Sequence, residues 1–243
     1  MNNFPKIRPM GERGILIEFA PEIDEKLLEK LLFYKNKIEE LYNEVTVEVI
    51  NTYNSLLINY MFSIEDVYDD ISRLQKLFKE AKIGKLNKRK IVYLPVCYQE
   101  EFSWDLELIA KEKNLTKKEI IQLHTTPIYT VYFIGFLPGF LYLGGLDKKL
   151  RISRKNQPRM EIEKGAVGIG ENQTGIYPKS SPGGWQILGN CPVNLFDKNN
   201  NPPCEISAGD KVKFYSISKD EFEEVSEQIS NGKFELKKEN YEG

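Results

Sequence analysis

Eleven of the chain's 17 glycines fall between Gly135 and Gly189, interleaved with short β-branched and aromatic runs. A long helix cannot propagate through such a stretch, because each glycine weakens it and admits turns that other residues resist. The runs at 131–134, 166–169, 186–188 and 194–196, with a turn and closing strand over 208–215, predict an all-β barrel or sandwich.

Upstream, strand and helix patterns alternate. Residues 14–19, 45–50 and 55–60 read as strands, the last two joined by a turn near 52–54. Leu27, Leu28, Leu31, Leu32, Ile38 and Leu41 recur at helical spacing after an acidic start at Glu22, Asp24 and Glu25. A second helix is expected from Ser63, with Val67, Ile71, Leu74, Leu77 and Phe78 on one face. A sheet with both helices on one side, ferredoxin-like in outline, buries both apolar faces. Composition shifts over 81–89, where Lys82, Lys85, Lys88 and Arg89 accompany Gly84 and Asn87, so the expected domains are 1–84 and 85–243. A strand at 90–96 and two short helices follow, the second opened by the capping box Thr116–Glu119. Ser218–Glu221 is a second such box and starts a helix to about Ile229.

Charge and composition narrow the function classes. The 34 Lys and Arg nearly balance 36 Asp and Glu, which argues against a dedicated nucleic-acid binder. Cys97, Cys191 and Cys204 form no CxxC pair, and a reduced, cytoplasmic setting is expected. Residues 125–146 carry no charge, but Pro127, Gly135, Pro138 and Gly139 interrupt them. A buried strand followed by an apolar loop is expected there rather than a membrane span. With one histidine, His124, no metal site of two or three imidazoles can form within the chain, and no metal is expected. No GxxxxGK[ST] loop occurs, so any ATP use needs another kind of site.

Three features could carry chemistry. Only seven of the 34 basic residues are arginines, yet Arg151, Arg154 and Arg159 cluster within nine positions. Planar guanidinium forks suit carboxylate or phosphate, although surface salt bridges would use them equally well. His124, read as lying just past the end of the second short helix, either caps that end or acts as a proton carrier or substrate ligand. Residues 172–178 and 180–186 supply amide, hydroxyl and backbone N–H groups on segments read as Gly- and Pro-shaped loops. The alternative for these is tight barrel turns around a core Trp185 and Tyr177.

Residues 131–146, containing Gly135-Phe-Leu-Pro-Gly-Phe-Leu-Tyr-Leu-Gly-Gly145, resemble a "GFxPGFxYLGG" signature. Pro95-Val-Cys-Tyr98, Glu101-Phe102 and Asp105-Leu106 resemble its "PVCYxxEFxxDL". Together they are similar to the PxpB/KipI family, the B component of the bacterial ATP-dependent 5-oxoprolinase, also called the allophanate hydrolase subunit 1 family. Glu171 stands where that family is usually small and uncharged, and Gln99-Glu100 where it often has Gly-Gly. The resemblance implies an α+β chain with a ferredoxin-like N-terminal domain and a cyclophilin-like β-barrel C-terminal domain. It implies a direct partner, the KipA-like C component, and a further A component, which together turn 5-oxoproline into L-glutamate with ATP and Mg²⁺ in the assembled complex. Some members are described as inhibitors of a sporulation histidine kinase, and related domains form the carboxyltransferase unit of urea carboxylases. Under it, Arg154, Arg159, Ser181, Gly183 and Gly184 are expected to meet phosphate and carboxylate. Gln173, Thr174 and Tyr177 are expected at the substrate, and His124 is expected to move a proton.

Overall fold

The computed structural model describes residues 5–21, 23–81, 83–84 and 89–241. It divides into two compact units, Met1–Asn87 and Lys88–Gly243. Most of the expected 81–89 boundary (Lys82, Lys85, Asn87 and Lys88) lies outside the described residues, as does Glu22.

The first unit contains β1 (Lys6–Pro9), β2 (Gly14–Glu18), α1 (Glu25–Leu41), β3 (Thr46–Asn51), β4 (Ser55–Tyr60) and α2 (Val67–Glu80). Its sheet runs β1-β2-β4-β3, antiparallel throughout. Along β4 every second residue is buried, and Leu56, Ile58 and Tyr60 meet Leu31, Tyr34 and Ile38 of α1 and Leu74 and Phe78 of α2 in one core. Both helices therefore cover the same face, as period-two burial requires. The five elements β2-α1-β3-β4-α2 follow the ferredoxin-like order. The edge beside β2 is filled by β1, which enters from the N-terminal side instead of following α2. Helix α2 starts four residues later than expected. Asp66 is its cap, its carboxylate accepting from the N–H groups of Tyr68 and Asp69 at 2.9 and 3.0 Å.

The second unit is a closed barrel. Its strands are β5 (Arg89–Cys97), β6 (Tyr129–Ile134), β7 (Leu141–Gly144), β9 (Ala166–Gly170), β10 (Gln173–Ile176), β12 (Gln186–Asn190) and β13 (Lys211–Ile217). The ring runs β5-β12-β9-β10-β7-β6-β13 and back to β5, with only β13 and β5 parallel. A two-stranded flap, β8 (Arg159–Ile162) with β11 (Ser181–Gly183), stands apart from it. β14 (Lys238–Tyr241) adds to β5 after α5 (Lys219–Ser230), while α3 (Leu106–Lys113) and α4 (Lys117–Thr125) follow β5. Both expected capping boxes form.

Val92, Leu94, Val96, Val131, Leu143, Val167, Ile169, Ile176, Val212 and Phe214 fill the interior. Full burial of each aliphatic side chain contributes roughly 1.5–3 kcal/mol. Two expectations are corrected. Residues 194–196 form no strand, and Leu195, like the preceding Val193, packs into the core without ladder partners. Gln173–Ile176 and Ser181–Gly183, read as loops, are strands, because β10 is paired on both sides by β7 and β9, and β11 by β8.

Candidate functional site

Strand alternation sorts the expected site residues onto opposite sides of the barrel wall. Thr174 and Ile176 of β10 face inward, whereas Gly175 and Tyr177 face an outer aromatic cluster.

On the inner side, α4 delivers His124, which is fully buried. Its Nδ1 lies 2.7 Å from the Tyr98 hydroxyl and its Nε2 2.9 Å from Thr174 Oγ1, which also donates to the Gly168 carbonyl at 3.0 Å. The ring stacks on Phe214 at 4.8 Å. Burial pushes the His124 pKa down to about 3, so the imidazole is neutral. His124 lies within α4 rather than past its end, and its ring nitrogens bond side chains instead of capping carbonyls.

On the outer side, Phe140, Tyr142, Tyr177 and Trp185 pack edge to face or tilted at 4.9–6.0 Å. Burial pushes Tyr177 up to about 12, against a backbone hydrogen bond at Trp185 and the nearby Arg154. A Cβ at 183 would strike the Tyr177 hydroxyl and Ile162, so a larger residue there has to displace those side chains. Ser181 and Gly183 are ladder residues opposite Ile162 and Arg159, and Ser181 Oγ turns to the Pro182 carbonyl at 3.3 Å. The Oε1 atoms of Gln173 and Gln186 are buried and accept no hydrogen bond among the described residues.

The segment 153–159 runs along this cluster. It is tied down by Lys155 N–H to the Gly184 carbonyl at 2.7 Å and by Gln186 Nε2 to the Ser153 carbonyl at 3.1 Å. Its charges converge on Asp105, a buried residue whose role no local sequence feature signals. Arg159 grips both carboxylate oxygens at 2.9 and 2.8 Å, and Lys155 Nζ lies 2.9 Å from Oδ1. The Ile187 N–H donates to Oδ2 at 2.7 Å, and Asp105 N–H donates back to the Ile187 carbonyl at 3.0 Å. Burial alone would raise the Asp105 pKa, but Arg159, the Ile187 amide and Lys155 together hold it below the usual carboxylate range. Arg159 also lies 5.3 Å from the Trp104 ring centre. Exposed Arg154 sits 5.6 Å over Trp185 and has no carboxylate partner among the described residues.

The outer wall thus brings together Arg154, Arg159, Gln173, Tyr177, Gly183 and Gly184, and separates them from His124 and Thr174. Nearby, Glu171 holds φ of +56° in the turn between β9 and β10, its N–H donating to the Ile152 carbonyl at 2.7 Å. Among the described residues no group of three or more His, Cys, Asp or Glu side chains could hold a metal ion. No described helix is long and apolar enough to cross a membrane.

Residues 5–206 match the family model described as "Carboxyltransferase domain, subdomain C and D". The chain is 37% identical over 237 residues to the B subunit of 5-oxoprolinase from Bacillus subtilis, covering 92% of this chain and 97% of that protein. It is 40% identical over 208 residues to the protein of the same name from Haemophilus influenzae, covering 86% and 96%. The chain belongs to the family of 5-oxoprolinase B subunits. Its fold is shared with part of the K. lactis urea amidolyase, at a TM-score of 0.83 and 23% identity, over 99% of this chain and 16% of that one. The family signature at 135–145 forms the turn from β6 into β7 and supplies Phe140 and Tyr142 to the outer cluster.

Proposed function

We propose that the chain is the B component of an ATP-dependent 5-oxoprolinase, acting only when assembled with its C and A components. The reading is supported by the likeness to relatives of that name. The observation that carries it is Arg154, an exposed guanidinium without a carboxylate partner among the described residues, set over a buried tryptophan on the outer wall.

A five-membered lactam resists water. Transfer of the ATP γ-phosphoryl group to the lactam oxygen, with ADP leaving, makes the ring carbon electrophilic. Water then adds, the C–N bond breaks to free the amine, and a second water releases phosphate from the resulting acyl phosphate, leaving glutamate. The negative charge of substrate carboxylate and phosphoryl oxygens has to be met by fixed positive charge where water is excluded. In this reading Arg154 supplies that charge, Trp185 and Tyr142 supply the apolar backing, and Gln173 offers its Oε1 to the lactam N–H. Gly183 and Gly184 keep the flap close. His124 and Thr174 hold the wall from inside rather than exchange protons with substrate. The C component is assigned to completing the site, and ATP with Mg²⁺ enters as substrate of the assembly.

The carboxyltransferase description of the matching family model favours a second reading, a component that works on urea or another amide with a biotinylated partner. Mixing the chain with the A and C components, ATP, Mg²⁺ and 5-oxoproline, and omitting each in turn, separates the readings. Glutamate and phosphate formed only by the complete mixture is the expected result. A stable complex with the C component that never turns over 5-oxoproline would contradict it. Biotin- and bicarbonate-dependent consumption of an amide would favour the second reading, and inhibition of histidine-kinase autophosphorylation a regulatory one.

A further inference from the structure

Three cations lie between Ser153 and Arg159, but they are not equivalent. Lys155 and Arg159 both end on Asp105, while Arg154 points to solvent over Trp185. Asp105 is itself locked to β12 by reciprocal hydrogen bonds with the Ile187 backbone. It therefore holds its two cations against a strand of the barrel, not against a mobile side chain. Hydrogen bonds at the Ser153 carbonyl and the Lys155 N–H fix the backbone on both sides of Arg154, which therefore emerges from a braced arm.

We propose that Asp105 is the positioning residue of a small-anion site. By engaging Lys155 and Arg159, it leaves Arg154 as the one cation of this segment available to a carboxylate or phosphoryl oxygen. The inference deepens the functional reading above and rests on its use of Arg154. Neutralising Asp105 frees two cations beside the third, so the anion no longer depends on one guanidinium. The signature is loss of selectivity among the cations, which simple unfolding does not produce.

The chain's two tryptophans each lie beside one of these arginines, which provides the readout. In the full chain carrying Trp104→Phe, Trp185 fluorescence is titrated with 5-oxoproline and, separately, with inorganic phosphate, at ionic strength held constant with chloride. A saturable response is expected, weakened about tenfold or more by Arg154→Gln, as for loss of a charge-assisted fork. In an Asp105→Asn background the same Arg154→Gln change is expected to cost less than about threefold, a coupling that a double-mutant cycle resolves. Asp105→Glu, which keeps the charge, is expected to restore the Arg154 dependence. Melting curves establish that each variant is folded. Should Asp105→Asn not fold, Arg159→Met serves instead, and affinity within about threefold of the parent is expected because that cation is already engaged. Equal Arg154 dependence with and without Asp105, or an Arg159→Met loss as large as that of Arg154→Gln, overturns the proposal. No saturable response to either anion also overturns it. An Arg154-dependent response in a chain whose complete assembly gives no glutamate supports this inference and removes the 5-oxoprolinase reading alone.

Discussion

Gln173 and Thr174 are adjacent in the chain but belong to different chemical worlds. Inward, Thr174, His124 and Tyr98 form a closed and neutral chain of hydrogen bonds in a buried core. Outward, the wall is charged and incompletely satisfied, with Arg154 uncommitted and the Gln173 Oε1 unbonded among the described residues. A buried polar group costs stability unless it is paired, so the inner set is organised for stability. In the proposed reading, the unpaired groups on the outer side are the ones a ligand completes. The same strand therefore separates a fully paired inner set from an incompletely paired outer one by nothing more than side-chain alternation.

The contrast can be broken most forcefully at Asp105. Asp105→Ala leaves Arg159 and Lys155 without their carboxylate and is expected to cost about 3–5 kcal/mol in denaturant unfolding of the barrel. Because the folded pKa of Asp105 is depressed, its contribution is present above the unfolded carboxylate value and is lost as pH falls through the folded one. The gap between wild type and variant should accordingly close in strong acid. A cost under about 1 kcal/mol at neutral pH would mean that the ion cluster is not organising the wall.

On the inner side, His124→Leu strands the Tyr98 and Thr174 hydroxyls and is expected to cost about 2–4 kcal/mol at pH 8. The folded pKa of about 3 lies below the ordinary unfolded histidine value. Stability from the neutral ring is complete above pH 6.5 or so and is lost as pH falls towards 3, at roughly 1.4 kcal/mol per unit. The difference between His124→Leu and wild type should shrink by about 2 kcal/mol between pH 8 and pH 5. A difference independent of pH would show that the ring is charged or exposed.

Smaller effects sharpen the comparison. Glu171→Gly removes a left-handed non-glycine residue and is expected to raise stability by about 1 kcal/mol, read as a higher melting temperature. Unchanged or lower stability would show that the Glu171 side chain makes a compensating contribution. Arg154→Gln, at an exposed position, should change stability by less than about 0.5 kcal/mol.

Much of the architecture is legible locally. Both capping boxes, the alternation of β4 and the apolar face of α2 announce themselves within a few residues. The segments 173–176 and 181–183 do not, because their glycines and polar residues carry no strand preference and β structure comes from neighbours distant in sequence. Reading them as loops groups Thr174 with Gln173 and Tyr177, since only a strand's period of two separates them. The density of arginines at 151–159 suits either an anion site or salt bridges, and the carboxylate that takes Arg159 lies 54 positions upstream. Asp105 stands within a recognisable signature, but nothing next to it announces two cationic partners.

The central claim, that the outer wall meets the substrate's negative charge through Arg154, is tested most directly by glutamate formation in the reconstituted three-component assembly containing Arg154→Gln. The account predicts a fall in turnover of about tenfold or more with the assembly and the melting temperature intact. Wild-type turnover by that variant would contradict it.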